Sequence, residues 1–308
     1  MKIVFFGTPE FAMPNLEALY HSKDMEILSV VTQPDKPQGR KKILTPPPVK
    51  ILAKELNLKI IQPKNKKELI NALSTLEKAN FFVVIAFGMI LPQEVLSMPK
   101  YGAINVHASL LPKYRGASPI QESLLNGDIE TGISVIKIDQ ELDHGDIFLI
   151  KRLNIEKNDN FATLSVKLAL LSSNLLPHLL HDIAGSHLSP IHQDHQKATY
   201  CHKITKEDGK INFSSSAEEI KNMINAYTPW PGVYTEFAGK KLKIISTEIS
   251  DEKIQPGEFK IENKILKIGT KKGALIPTKL QPEGKKVMDA KAFINGIPTE
   301  SREINKKF

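Results

Sequence analysis

Phe81-Phe82-Val83-Val84-Ile85-Ala86 is apolar at every position. An unbroken apolar run this short reads as a strand covered on both faces, not as one with a wet side. Working outwards, residues 2–6, 26–32, 59–61 and 103–106 are further strand candidates. Residues 14–22, 49–56, 66–73 and 119–126 read as helices between them. Covered strands alternating with helices predict an α/β fold built on a mainly parallel sheet. In such sheets the chemistry sits beyond the carboxyl ends of the strands. Residues 132–138 and 147–153 then read as strands without an intervening helix, and 161–183 as one long helix.

Residues 185–202 have little periodicity and read as a linker. The rhythm changes after it. Short strand candidates at 232–237, 241–247, 257–261, 265–270 and 273–280 are joined by Gly or Lys-Gly turns, the pattern of a small all-β domain. Residues 204–308 hold 19 basic and 14 acidic side chains, a net +5. A small, basic, five-strand domain suggests an OB-like β-barrel. The domains implied are 1–188, a linker at 189–205, and 206–308.

The chain has 308 residues, a formal net charge of +8, 41% apolar and 25% charged residues, all ordinary for a globular protein except the charge. Positive charge suits an anionic partner such as nucleic acid. Only four of the 42 basic residues are arginine, however, so the excess also fits a lysine-rich composition with no specific partner. The longest apolar run, Phe81 to Leu91, is about half of what a membrane helix needs. The N-terminal apolar run stops at Gly7-Thr8-Pro9-Glu10, too short for a secretory signal. The single cysteine, Cys201, cannot form an internal disulfide and fits a reducing compartment. A cytoplasmic location is therefore expected, and nothing in the sequence calls for a membrane or an obligate protein partner.

The densest chemical signal is Asn105-Val106-His107-Ala108-Ser109-Leu110-Leu111-Pro112. Asn105 and His107 are two apart at a strand end, so they leave the strand on one side. An amide and an imidazolium are both donors, and two such donors can hold an oxyanion. Asp143, in Glu141-Leu142-Asp143-His144-Gly145-Asp146, is a carboxylate that can orient the imidazole and favour its charged form. On spacing alone the same residues also read as a satisfied polar cluster in loops. Six of the nine histidines lie between His178 and His202, beside Cys201, but without metal-ligand spacing, so no metal is expected. Gly7 lacks the further glycines of a dinucleotide fingerprint, which excludes a nicotinamide cofactor.

The stretch from Asn105 to Gln121, Asn-Val-His-Ala-Ser-Leu-Leu-Pro-Lys-Tyr-Arg-Gly-Ala-Ser-Pro-Ile-Gln, resembles the signature of folate-dependent formyltransferases. Phe6-Gly7-Thr8-Pro9-Glu10-Phe11-Ala12 and Val84-Ile85-Ala86-Phe87-Gly88-Met89-Ile90-Leu91-Pro92 are similar to further family segments, with Phe87 where Tyr is common. The resemblance spans nearly the whole chain. It implies a Rossmann-like formyltransferase domain, and 10-formyltetrahydrofolate as formyl donor. It also implies Asn105, His107 and Asp143 as catalytic residues, and Ser109, Leu110, Leu111 and Pro112 as folate contacts.

Residues 34–50, Pro-Asp-Lys-Pro-Gln-Gly-Arg-Lys-Lys-Ile-Leu-Thr-Pro-Pro-Pro-Val-Lys, resemble the loop that the tRNA-acting members insert at the acceptor end of initiator tRNA. Lys41 stands where Gly is frequent, and Ile43 where a basic residue is frequent. The resemblance implies initiator methionyl-tRNA as the formyl acceptor, met by Lys36, Arg40, Lys41 and Lys42. Those residues have the chemistry for phosphates, and Arg40 alone offers a planar fork. Without the resemblance the segment reads equally well as a solvated loop. Asn225-Ala226-Tyr227-Thr228-Pro229-Trp230-Pro231-Gly232 is similar to the segment that enters the C-terminal domain of those members. In its proline-rich turn Trp230 reads as a packing anchor rather than a base-stacking surface.

Overall fold

Ile3 and Phe5 point to one side of the first strand, Val4 and Phe6 to the other, and all four are buried. That double burial organises the first unit. In a computed structural model describing residues 1–39, 41–237 and 239–297, the chain divides into two units. The first comprises residues 1–119, 130–154 and 165–201. The second comprises 120–129, 155–164 and 202 onwards.

The first unit is built on a seven-stranded sheet. Its strands are β1 (Lys2–Gly7), β2 (Glu26–Val31), β5 (Ile60–Ile61), β6 (Phe81–Ile85), β7 (Ala103–His107), β9 (Glu130–Lys137) and β10 (Ile147–Asn154). The order is β10-β9-β7-β6-β1-β2-β5. The five strands from β7 to β5 run parallel, while β9 pairs antiparallel with β7 and β10 antiparallel with β9. All five residues of β6 are buried, as its unbroken apolar sequence requires. On one face Val4, Phe6, Phe82 and Val84 pack with Leu69, Leu73, Val95 and Leu96. Each such fully buried side chain contributes roughly 1.5–3 kcal/mol. Leu69 and Leu73 lie one turn apart on α3 (Lys66–Ser74), and Val95 and Leu96 on α4 (Gln93–Leu96). Asn65 starts α3 by accepting from the Glu68 backbone N–H at 2.9 Å, while Glu68 accepts from Lys64 N–H at 2.8 Å.

The remaining helices of the alternation are α1 (Met13–His21) and α2 (Pro48–Glu55), each with Pro in its first turn, α5 (Pro119–Leu125) and α6 (Phe161–Ala184). Between β2 and α2 the expected loop contains a hairpin, β3 (Lys36–Gln38) against β4 (Ile43–Thr45). Its three-residue strands are too short to show a period.

The segment expected to be a linker, 189–205, is fixed into the first unit through Cys201. Ile191 bridges Ile147, and β11 (Tyr200–Cys201) pairs in parallel with β8 (Arg115–Gly116). Backbone pairing and polar side chains such as Gln193 hold it, so no apolar rhythm betrays it.

The second unit carries an antiparallel sheet of β12 (Val233–Phe237), β13 (Lys240–Ser250), β16 (Ala274–Pro282), β15 (Ile265–Gly269) and β14 (Phe259–Glu262) in that order, with β17 (Met288–Asp289) beside β16. The two ends of this path meet through rings. Phe237 of β12 lies 5.3 Å from Phe259 of β14 and 5.5 Å from Phe293 of α8 (Ala290–Asn295), both edge-on or nearly so. This is the curled, OB-like arrangement the sequence predicts. α7 (Ala217–Tyr227) adds a helix that reading for strands passes over. Its signal is present in the sequence: Ser216 and Glu219 form a capping box, and Ala217, Ile220, Ile224 and Tyr227 make the buried stripe. Trp230 is 51% exposed, so the expected packing anchor is a surface residue.

Candidate active site

β7 ends between β6 and β9, with Asn105 opposite Val84 and Ile136, and His107 opposite Ser134. The i, i+2 spacing puts both side chains on one face of the strand. Asp143 arrives from the connection between β9 and β10 and meets both. Its Oδ1 accepts from Asn105 Nδ2 at 3.1 Å and lies 3.5 Å from His107 Nδ1. Its Oδ2 accepts from the Gly116 N–H at 2.9 Å. The His107 and Asp143 side chains are only 6% and 8% exposed, so their interaction is weakly screened.

The orientation of His107 follows from its second contact. Its Nε2 is 2.9 Å from the Tyr114 carbonyl oxygen, which can only accept, so Nε2 carries a hydrogen. The neutral ring then leaves Nδ1 bare towards Asp143, and the charged ring places an N–H there. At 3.5 Å that N–H is not tied up by the carboxylate. Asn105 uses one amide hydrogen on Asp143 and has another to give. With the ring charged, the cluster presents two donors beside one carboxylate, the chemistry needed to hold an oxyanion.

Local backbone makes this possible. Gly116 has φ +123°, and a Cβ there would stand 2.3 Å from the Cys201 carbonyl oxygen, so only glycine brings that N–H to Asp143. Asp143 itself has φ +52°.

The expected folate segment follows directly, with a cis Leu111–Pro112 peptide. Ser109 is fully buried, and its hydroxyl donates to the Lys113 carbonyl at 2.6 Å. Leu111 is buried with Ile136 and Ile147, and its N–H donates to Ser134 Oγ at 3.0 Å. Ser134 Oγ in turn donates to the Ser109 carbonyl at 2.7 Å. The Ser109 and Leu111 side chains therefore shape the loop from inside, while Leu110 and Pro112 are half-buried.

The expected tRNA contacts lie elsewhere in the same unit. Lys36, Lys41 and Lys42 are exposed on the β3–β4 hairpin, with Ile43 and Leu44 exposed beside them. Arg40 lies outside the described residues. The hairpin is held at its base. Lys50 Nζ sits 2.7 Å from both Asp35 oxygens, and Gln62 Nε2 donates to Asp35 Oδ1 at 2.8 Å and to the Gln33 carbonyl at 2.9 Å. The Gln62 hydrogen bond and the Lys50 ammonium hold the Asp35 carboxyl below its ordinary value.

The histidine-rich stretch is dispersed. His192 meets Asp146 at 2.6 Å, His195 meets Arg115, and His202 lies 3.6 Å from Asp208. Among the described residues no three His, Cys, Asp or Glu side chains group as a metal site would need. Arg115 and Gln193, both buried, were not singled out by sequence reasoning, and Gln193 carries no sequence signal because it sits in an aperiodic segment. No helix among the described residues is long and apolar enough to cross a membrane.

The mainly parallel sheet that carries this donor cluster on β7 is a fold shared with known proteins. The sequence matches the formyl transferase family over residues 1–180 and the formyl transferase C-terminal domain over residues 203–298, and the chain belongs to that family. Within it the chain falls among the methionyl-tRNA formyltransferases. It is 45% identical to the one from Caldicellulosiruptor saccharolyticus over 99% of each chain. It is 44% identical to the one from Thermodesulfovibrio yellowstonii over 98% of this chain and 96% of the other. Among solved structures, the N-formyltransferase from Helicobacter canadensis in complex with folinic acid and dTDP-3-aminofucose aligns with TM-score 0.66. The alignment covers 92% of this chain and 99% of that one at 22% identity, a likeness of fold.

Proposed function

We infer that this chain transfers a formyl group from 10-formyltetrahydrofolate to the free amino group of initiator methionyl-tRNA. The observation that carries the chemistry is the single Asp143 carboxylate meeting both Asn105 and His107. The acceptor is supported by kinship with methionyl-tRNA formyltransferases along almost the whole chain.

The formyl-folate supplies an electrophilic carbonyl carbon on a nitrogen leaving group. The amine forms the new C–N bond, the carbonyl π pair moves to oxygen, and the old C–N bond breaks as that pair returns. The amine loses one proton and the folate nitrogen gains one. Asn105 Nδ2 and the His107 Nδ1–H donate to the oxygen while it carries negative charge. The ring can do so because Nε2–H is held by Tyr114, which fixes its plane. Asp143, which accepts from Asn105 and faces His107 Nδ1, keeps both donors aimed together. These are fixed donors that need no reorganisation during the reaction, so the scheme calls for no metal.

Residues 1–188 carry this chemistry in our reading, with Leu110, Pro112 and the backbone of 109–112 as folate contacts. Lys36, Arg40, Lys41, Lys42 and the basic region from 206 onwards hold the tRNA. The test is to supply labelled 10-formyltetrahydrofolate with methionyl-tRNA, with an amino-sugar nucleotide, or with water alone. Label in formylmethionyl-tRNA only is expected. Transfer to the sugar, or release of formate with no acceptor preference, would overturn the reading.

A further inference from the structure

Arg115 is a charge in the wrong place for an ordinary ion pair. It is 2% exposed, and among the described residues no carboxylate lies within 4 Å of its guanidinium. Neutral acceptors surround it instead. Gln193 Oε1 accepts from Nε at 3.2 Å and from Nη2 at 2.7 Å. His195 Nδ1 accepts from Nη2 at 2.8 Å, and the Tyr200 hydroxyl lies 3.5 Å from Nη1. An arginine is always protonated and never accepts, so His195 must present a lone pair at Nδ1. Its ring stacks on His144 at 4.0 Å, and His144 Nδ1 is 2.7 Å from Asp139 Oδ2. A buried guanidinium without a counter-ion is costly unless its neighbours are fixed to receive it.

What it fixes is the amide of Gln193, itself 5% exposed. With both guanidinium hydrogens on its oxygen, the Gln193 NH₂ is forced to the other side. There it donates to the Asp143 carbonyl at 2.9 Å and to the Gly145 carbonyl at 2.7 Å. A flipped amide would set donors against the guanidinium and an oxygen against two carbonyls, so only one orientation satisfies the site. Every hydrogen-bonding position of this side chain is in use.

The two carbonyls belong to the turn that carries the Asp143 carboxylate. Asp143 sits in the left-handed region at φ +52°, where a non-glycine residue stays only if its surroundings hold it. A Cβ at Gly145 would stand 1.8 Å from the Lys137 carbonyl oxygen, so the turn lies flat against β9. Arg115 closes the loop from the other direction. Its own N–H donates to the Thr199 carbonyl at 2.8 Å, and the next residue, Gly116, donates to Asp143 Oδ2. Asp143 is thus gripped twice, by its backbone through Gln193 and by its carboxylate through Gly116, the residue that follows Arg115.

We propose that Gln193, locked by the buried Arg115 guanidinium, is the positioning residue that holds the Asp143 turn so that its carboxylate reaches Asn105 and His107. Gln193 touches no reacting atom and acts through Asp143. The inference rests on the role assigned to Asp143 above.

Gln193→Glu separates the two halves of this arrangement in the full-length enzyme. It keeps an acceptor for Arg115 and turns both donors to the Asp143 turn into lone pairs. Gln193→Met, of similar length and uncharged, is the second variant and takes over if Gln193→Glu does not fold, as judged by circular dichroism. The folded variant should lose roughly 10- to 100-fold in kcat, with KM for 10-formyltetrahydrofolate within about threefold of the parent. In an Asp143→Asn background the same change should lower kcat by less than about threefold, because the group it positions is already disabled. A full multiplicative loss in that background, with Asp143→Asn alone impaired, would sink the positioning role and leave the catalytic reading standing. Parent-like kcat in the folded Gln193 variant would sink it too. Parent-like kcat in Asp143→Asn alone would remove the catalytic reading and this inference with it.

Discussion

The donor cluster and the β3–β4 hairpin belong to one unit yet are built on opposite plans. Asn105, His107 and Asp143 are held in place by one another and by the backbone, with an Asn105 amide hydrogen and His107 Nδ1 left for a substrate. The carboxylate meets an amide, an imidazole and a backbone N–H, and the far side of the ring is tied to Tyr114. The hairpin has three-residue strands, exposed lysines and exposed Ile43 and Leu44, and is gripped at its base by Asp35, Lys50 and Gln62. The difference follows from what each would meet. A developing oxyanion is small and its position is set by bond lengths, so donors must be placed before it forms. A nucleic acid end is large and polyanionic, so reach and charge matter more than fixed geometry.

The sharpest way to break this contrast is at the cluster. Asn105→Ala and His107→Ala each remove one donor from a preorganised pair. Each should lower kcat by roughly 10²- to 10³-fold, about 2.7–4 kcal/mol, while formyl-folate affinity changes far less. Single-turnover rates at saturating substrates, beside folate titrations, give both quantities. Near-normal turnover in either purified variant would leave the cluster as packing alone.

The next largest effect is expected at Arg40, the one arginine in residues 34–50 and so the one forked donor of that stretch. Arg40→Leu should lower kcat/KM for methionyl-tRNA by roughly 10- to 100-fold and leave formyl-folate affinity within about twofold. Equal losses for folate and tRNA would mean that the hairpin and the cluster are one site rather than two.

The two regions also differ in how far the sequence reveals them. Burial on both faces of β6 is written in Phe81–Ile85, and the i, i+2 placement of Asn105 and His107 follows from strand geometry alone. The hairpin is invisible because strands of three residues have no period. The Ser216–Glu219 capping box announces α7, but the eye for β-rhythm passes over it. Trp230 misleads in the other direction: a lone tryptophan between prolines suggests burial, yet it stands half in solvent. Nothing local in the sequence announces the pairing of Gln193 with Arg115. Their partners lie far away in the chain, at separations of 78 and 80 for Gln193 and His195 from Arg115, and 50 and 48 for Asp143 and Gly145 from Gln193. Polar networks closed over such distances leave neither periodicity nor spacing behind.

Asp35 tests whether the base of the hairpin matters for its tip. Asp35→Asn removes the charge that Lys50 and Gln62 hold and should raise KM for methionyl-tRNA by roughly tenfold, with kcat nearly unchanged. The carboxyl is held below its ordinary value by these partners. A depressed folded-state value means stabilisation that is complete above the unfolded value and disappears as pH falls through the folded one. The melting temperature of the parent should therefore exceed that of Asp35→Asn at neutral pH, and the gap should close as pH falls below 3.8. A gap independent of pH would show that the carboxylate charge is not what anchors the hairpin.

The smallest effects are expected at Lys41 and Lys42, and they sharpen the contrast most finely. Both side chains are exposed, and each carries a mobile point charge on a flexible stem. Such a charge lowers the free energy of a nearby phosphate mainly by releasing a counterion, without fixing its position. Lys41→Ala or Lys42→Ala should therefore weaken tRNA binding only about two- to threefold near physiological salt. Each should reduce the steepness of log affinity against log salt by roughly one counterion, and neither should change kcat. Lys42 adds a second consideration, because its φ of +49° suits glycine better than alanine. Lys42→Gly should thus keep the hairpin better than Lys42→Ala while losing the same charge. If the two Lys42 variants bind tRNA equally and both with a lower salt slope, charge alone governs this position. A loss in Lys42→Ala that Lys42→Gly restores, with no change in salt slope, would show that hairpin shape governs it. The exposed arm would then share the cluster's dependence on fixed geometry.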